Sequence, residues 1–273
     1  MDRKRTSEIP VALSIAGSDS GGGAGIQADL KTFHAFGVFG TTAITAITAQ
    51  NTLGVTGVHT IPVDMIRAQI RAVAEDLRPA AVKTGMLSTA EVVETVAEAI
   101  RTEGLTNYVL DPVMVATTGA RLLDRNAEGA VGELLLPLCT LVTPNLDEAS
   151  LLVGRPVRDE GEMRAAAETL VARGARAALV KGGHLEGDVV VDILFDGENH
   201  HRWARPRVVT DATHGTGCTL SAAIAAGLAH GRPLLEAVAD GLEFVHRGIL
   251  YAPGLGRGHG PLNHFVTLVS AGR

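Results

Sequence analysis

Short apolar runs alternate with longer segments of helical period from one end of the chain to the other, which is the pattern of a parallel sheet covered by helices. Residues 11–16 predict a first strand, ending in the loop Gly17-Ser18-Asp19-Ser20-Gly21-Gly22-Gly23, and residues 24–36 predict a helix. A Thr- and Ile-rich strand is expected over 40–49. Pro62 suits the first position of a helix on which Ile66, Ile70, Val73 and Leu77 share one face, and Pro79 stops it. A strand over 80–83, a helix over 89–101 with Val92, Val93, Val96 and Ile100 inward, and a strand over 108–110 continue the alternation. A strand at 141–143, helices at 145–152 and 160–173, and a strand at 177–180 follow.

Residues 189–195 and 200–203 are two extended runs around Asp196-Gly197, a hairpin signal that places an antiparallel edge on the sheet. Helices over 217–229 and 234–250 close the chain before the Gly-rich stretch 254–260. No linker composition and no fixed repeat interrupts the series, so a single α/β domain over residues 1–273 is expected.

Composition narrows the function. A chain of 273 residues with 46% hydrophobic residues can bury a substantial core, and its net charge of -6 offers no basic field for nucleic acid. The basic cluster at residues 1–5 reads as a solvated tail. Cys139 and Cys218 lie far apart without metal-ligand spacing, which fits a reducing cytoplasm. The apolar segments are broken well short of about 18 residues, so neither a membrane span nor a leader is expected.

In open α/β sheets the functional loops lie at the carboxyl ends of the strands, and the chemistry-bearing residues here follow predicted strands. These are the loop at 17–25, Gln50-Asn51, Lys83-Thr84-Gly85-Met86, Asp111-Pro112-Val113-Met114, Pro144-Asn145 with Glu148, and Lys181-Gly182-Gly183-His184. Gly23-x-Gly25-x-x-Ala28 matches a dinucleotide fingerprint weakly, because the ribose-binding acid about 20 residues on is missing. It supports a nicotinamide-dependent oxidoreductase only in that form. A Walker A loop is excluded by the absence of any Gly-Lys pair. The strongest signal is His214-Gly215-Thr216-Gly217-Cys218-Thr219, where two glycines open an apolar helix. Its free amides at the positive end of the macrodipole can stabilise a transferring phosphoryl group.

Together these motifs resemble the hydroxymethylpyrimidine/phosphomethylpyrimidine kinases of thiamine biosynthesis. The resemblance runs from the loop at 17–25 through Thr143-Pro144-Asn145-Leu146-Asp147-Glu148 and Thr213-His214-Gly215-Thr216-Gly217-Cys218 to Gly258-His259-Gly260-Pro261. It implies a ribokinase-like fold and ATP-dependent phosphorylation of 4-amino-5-hydroxymethyl-2-methylpyrimidine and then of its monophosphate. The pyrimidine pocket would involve Gly17, Ala24, Asp29, Gln50, Met86 and Val113. Asp111 and Glu148 would hold Mg²⁺ through waters, Lys181 would neutralise nucleotide phosphate, and Asn145 would cap its helix and position metal and phosphate. Gly215, Thr216 and Gly217 would bind the transferring group. Cys218 stands where sugar kinases of this superfamily carry an Asp base, and its place at a helix start would depress the thiol and make it a proton acceptor. The resemblance also implies a homodimer. Pyridoxal or pyridoxine phosphorylation is the alternative activity, since both substrates carry a ring hydroxymethyl group. Two departures stand out: Gly241-Leu242 replaces an Ala-Lys pair expected near adenine, and Asp211-Ala212 replaces Lys-Asn.

Overall fold

The computed structural model describes residues 9–115, 122–183, 185 and 187–267. Strands whose side chains are apolar on both faces must be covered on both faces, and that constraint sets the layering. In chain order the elements are β1 (Val11–Asp19), α1 (Gly25–Ala35), β2 (Phe39–Asn51), β3 (Gly54–Thr60), α2 (Val63–Leu77), β4 (Ala81–Thr84), α3 (Ala90–Thr102) and β5 (Tyr108–Leu110). There follow α4 (Arg125–Ala130), which runs on through helical turns to Leu138, β6 (Leu141–Val142), α5 (Leu146–Val153), α6 (Glu160–Ala172) and β7 (Ala178–Lys181). The last are β8 (Val189–Phe195), β9 (His200–Pro206), α7 (Thr216–Ala229) and α8 (Leu234–Leu250).

One nine-stranded sheet runs in the order β3-β2-β1-β4-β5-β6-β7-β8-β9. Its centre, β2 to β7, is parallel. β3 pairs antiparallel at one edge and β8–β9 at the other. The expected hairpin is present: the Asp196 carboxylate accepts the amides of Glu198 and Asn199, and Gly197 takes a φ of +101°. Two elements escaped the sequence reading. β3 is an edge strand with most side chains exposed, so it carries no alternation to read. In residues 125–138, Gly129, Gly132 and Pro137 dilute the helical period.

Alternate strand residues feed two cores. Leu13, Ile15, Val82, Leu110 and Val142 pack under α2, α3, α5 and α6. Ala12, Val109, Leu141 and Leu179 pack against α1, α7 and α8. α7 is buried almost from end to end, which explains its run of alanines: an added Cβ on Gly227 would sit 2.7 Å from Cβ of Ala237 on α8. Small residues let three helices crowd one face, so the start of α7 is driven to the carboxyl ends of the strands.

The fully buried Tyr108 hydroxyl meets Thr84 Oγ1 at 2.7 Å, joining β4 and β5 near the sheet centre. Tyr108→Phe leaves that threonine unpaired and is expected to destabilise the fold by about 1–3 kcal/mol in urea unfolding. Thr84→Val in the same background should recover much of the loss. A double variant as unstable as the sum of the singles would show that the two hydroxyls are not coupled.

Candidate active site

A cleft of about 770 Å³ lies along the carboxyl ends of the strands. Its floor is the start of α7. Gly215 occupies the N-cap with a left-handed φ of +82°, and an added Cβ would fall 1.9 Å from the carbonyl oxygen of Gly23. Only glycine fits there. At Gly217 a Cβ would stand 3.1 Å from Lys181 Nζ. No side chain caps this terminus, so Thr216, Gly217 and Cys218 open into the cleft as a turn suited to an anion.

Facing that turn, Lys181 at the end of β7 lies 3.4 Å from Asp111 and 4.0 Å from Glu148. Both carboxylates are buried. Asp111 also accepts a hydrogen bond from Ser221 on α7 at 3.2 Å. Asn145 and Glu148 form a reciprocal cap at the start of α5, with bonds of 2.9 and 2.8 Å. Burial pushes Glu148 up to about 7; the Lys181 ammonium opposes that and Asp111 adds to it. For Lys181, burial alone would lower the ammonium, but Asp111 and Glu148 raise it, so it stays charged.

This donor set suits one kind of metal. Among the described residues no three His, Cys, Asp or Glu side chains cluster to hold an ion. Two buried carboxylates facing the glycine start of α7 suit Mg²⁺, which keeps most of its waters and takes few protein ligands. Asp111 and Glu148 would hold it, and it would supply neutralisation of phosphate charge.

At one end of the cleft Gly17, Ala24, Gln50, Met86 and Val113 line the wall with Thr48 and His214. Gly17 is held close: a Cβ there would meet Met86 Sδ at 3.1 Å. Asp29 does not join them. Its side chain is fully buried under the wall, where Lys83 Nζ reaches both its oxygens at 2.8 Å, so the expected contact with a pyrimidine is corrected to an internal ion pair.

The acid that does face the cleft is Asp19. It accepts the amides of Gly21, Gly23 and Ala24 at 2.8, 3.0 and 2.8 Å, and His214 Nε2 lies 2.8 Å away. Burial would raise Asp19, but the His214 contact and these amides outweigh it and hold the carboxyl below its ordinary value. The Gln50 amide lies 3.3 Å from the same His214 nitrogen. Asp19 and His214 were given no role from sequence, although an Asp followed by a glycine run is an Asx-turn signal. Asp19 already takes the amides of Gly21, Gly23 and Ala24, so those three are closed to a dinucleotide pyrophosphate, which counts against the oxidoreductase reading.

Cys218 lines the cleft, half-buried, as expected, but its thiol is not depressed. Burial pushes it up to about 11; the Lys83 ammonium opposes that, Asp111 and Asp29 add to it, and the Gly25 amide opposes it. Desolvation outweighs the helix start. Cys139 is a core residue whose thiol burial pushes up to about 12.

A further wall of the cleft sets Val190, Pro206 and Val208, interleaved with Arg205 and Arg207, together with Leu242, Val245, His246 and Ile249 of α8. The sequence reading did not find this wall, because its two halves are neighbours only in the folded chain. Gly241, one of the two departures, packs against Ile224 of α7, while Leu242 adds apolar surface. His184 and the basic residues 1–5 lie outside the described residues.

The sequence model of phosphomethylpyrimidine kinase matches residues 19–263. A hydroxymethylpyrimidine/phosphomethylpyrimidine kinase of Rhizobium meliloti is 54% identical over 258 residues, covering 93% of this chain and 97% of the relative. Among solved structures, an ADP complex of Bacillus subtilis pyridoxal kinase superposes with a TM-score of 0.87 at 40% identity, over 94% of this chain and 98% of that one. Staphylococcus aureus pyridoxal kinase with pyridoxal gives 0.88 at 34% identity, over 94% of each. A match that spans nearly every loop of the cleft, at this identity, means that the chain belongs to the phosphomethylpyrimidine kinase family.

Proposed function

We propose that the protein is a bifunctional hydroxymethylpyrimidine and phosphomethylpyrimidine kinase, using ATP with Mg²⁺ to make the monophosphate and then the diphosphate of 4-amino-5-hydroxymethyl-2-methylpyrimidine. The observation that carries this reading is Lys181, set between Asp111 and Glu148 and facing the glycine start of α7. The same cleft carries the polar Gln50 and His214, suited to the acceptor, and the apolar Val190, Pro206, Val208, Leu242, Val245 and Ile249, suited to the nucleotide base. Phosphoryl transfer needs positioning and charge stabilisation above all, and this arrangement supplies both.

In the first step the acceptor hydroxyl oxygen attacks the terminal phosphorus, the bond to the bridging oxygen breaks, and the hydroxyl proton passes to Cys218 Sγ, which must enter the step as thiolate. In the second step the nucleophile is a phosphate oxygen that is already anionic near neutral pH, and no base is required. Gly215, Thr216 and Gly217 hold the transferring group in both. The reading extends to a homodimer of single-domain chains in a reducing cytoplasm; among the described residues no helix is long and apolar enough to cross a membrane.

Pyridoxal phosphorylation is the second reading, favoured by the two pyridoxal kinases that superpose over almost the whole chain. Comparing kcat/KM for the pyrimidine alcohol and for pyridoxal, with product masses, decides between them. Appearance of both pyrimidine mono- and diphosphate supports the main reading, and absence of the diphosphate overturns it.

Gln50→Leu is expected to raise KM for the pyrimidine, by the equivalent of about 1–3 kcal/mol, with KM for ATP little changed. An unchanged pyrimidine KM removes Gln50 from the pocket. Lys181→Ala and Glu148→Gln should each depress both phosphorylations, because the charge they manage belongs to the nucleotide in either step; wild-type rates at saturating Mg²⁺ would refute that. Cys218→Ala keeps the backbone turn, so single-turnover rates should fall by about 10²- to 10⁴-fold for the alcohol and much less for its monophosphate. Equal losses in both steps would mean that Cys218 shapes the site rather than accepting a proton.

A further inference from the structure

Three charged side chains cross the antiparallel edge of the sheet in a row. Lys181 of β7 stands directly opposite Asp192 of β8, and Arg205 of β9 lies two residues beyond Trp203, the residue opposite Asp192. Opposed and diagonal side chains of neighbouring strands share a face, so cation, anion and cation follow one another along the cleft, which all three line. Lys181 leans away, to Asp111 at 3.4 Å and Glu148 at 4.0 Å. The buried Asp192 has other partners: Oδ1 accepts the Gly182 amide at 3.1 Å, and Oδ2 meets the Arg205 guanidinium.

A buried carboxylate is an unfavourable neighbour for a phosphate site, because it repels the ligand. Arg205 matches its charge, and what remains is its hold on the backbone. At Gly182 an added Cβ would fall 1.9 Å from the carbonyl oxygen of Val191, so the chain leaves β7 in contact with β8. On the other flank the Lys181 amide donates to the Pro144 carbonyl at 2.8 Å, just before the Asn145 cap of α5. The amides of residues 181 and 182 are thus tied to different neighbours. The first tie is backbone to backbone, whereas the second depends on one side chain.

We infer that Asp192 is a positioning residue for both phosphorylations: by accepting the Gly182 amide, with Arg205 on its other oxygen, it fixes the end of β7 and so holds the Lys181 ammonium at the glycine start of α7. The inference rests on Lys181 as the lysine that meets nucleotide phosphate.

The test replaces Asp192 and Arg205 together, since removing one member of a buried pair strands the other charge. Asp192→Val with Arg205→Met removes the tie, and Asp192→Ala with Arg205→Met serves if that pair does not fold. Asp192→Asn with Arg205→Gln removes the charges but keeps an oxygen for the Gly182 amide. Binding of a non-hydrolysable β,γ-methylene ATP with Mg²⁺ is measured by titration calorimetry on the full chain without acceptor, and kcat is measured for both acceptors. For the apolar pair we expect a nucleotide Kd raised about tenfold or more, kcat lowered by up to about a hundredfold on both acceptors, and an unchanged KM for the pyrimidine. The Asn–Gln pair should stay close to wild type. In a Lys181→Ala background the apolar pair should weaken nucleotide binding no further, because its effect passes through that lysine.

Wild-type nucleotide affinity and turnover in an apolar pair that keeps its urea transition overturn the inference. So does an equal loss in the Asn–Gln pair, or a loss undiminished by Lys181→Ala. Lys181→Ala binding nucleotide as tightly as wild type faults the reading of that lysine first, and the inference falls with it.

Discussion

The site depends on one close approach. The carbonyl oxygen of Gly23 lies where a Cβ of Gly215 would be, and Asp19 ties the two segments together by accepting the amides of Gly21, Gly23 and Ala24 while meeting His214 across 195 positions of sequence. The loop after the first strand and the start of α7 are thereby fixed against each other. That contact presents the α7 turn to the cleft with Gln50 beside it, so acceptor recognition and phosphoryl binding share a single support. Loosening it would displace both at once.

Charge is distributed unevenly around that support. Asp111 and Glu148 crowd a single ammonium facing the α7 turn, and burial raises the Glu148 carboxyl above its ordinary value. Such a cluster is short of positive charge until cationic ligands arrive, which suits a protein that binds a nucleotide together with its metal. The Lys83–Asp29 pair is the opposite case, with its charges matched and sealed away from water. One cluster waits for a partner, and the other has its partner built in.

Much of this was legible in the chain. Alternating apolar runs and helical periods gave the parallel core, and the Asp-Gly turn gave the antiparallel edge, because local chemistry specifies those features without help from distant residues. Loops after strands fall at one end of a parallel sheet by topology, so the glycines, Lys181, Asp111, Asn145 and Glu148 could be named from order alone. β3 was missed because an exposed edge strand has no buried face to impose a pattern.

Burial and convergence were decided only by the fold. Asp29 reads from sequence as an acid near the pocket, yet it ends up paired with Lys83, because α1 turns that face onto the sheet. Cys218 sits at a helix start as expected, but desolvation by the surrounding core outweighs the helix and lifts the thiol to about 11. The cleft sets Val190 of β8, Pro206 of β9 and Val208 just after it together with one face of α8, which come to line one cleft only because the sheet carries its edge hairpin to that side. Sequence fixes which groups are available and which end of the sheet they reach; solvent exclusion and long-range packing set what each is charged with and what it touches.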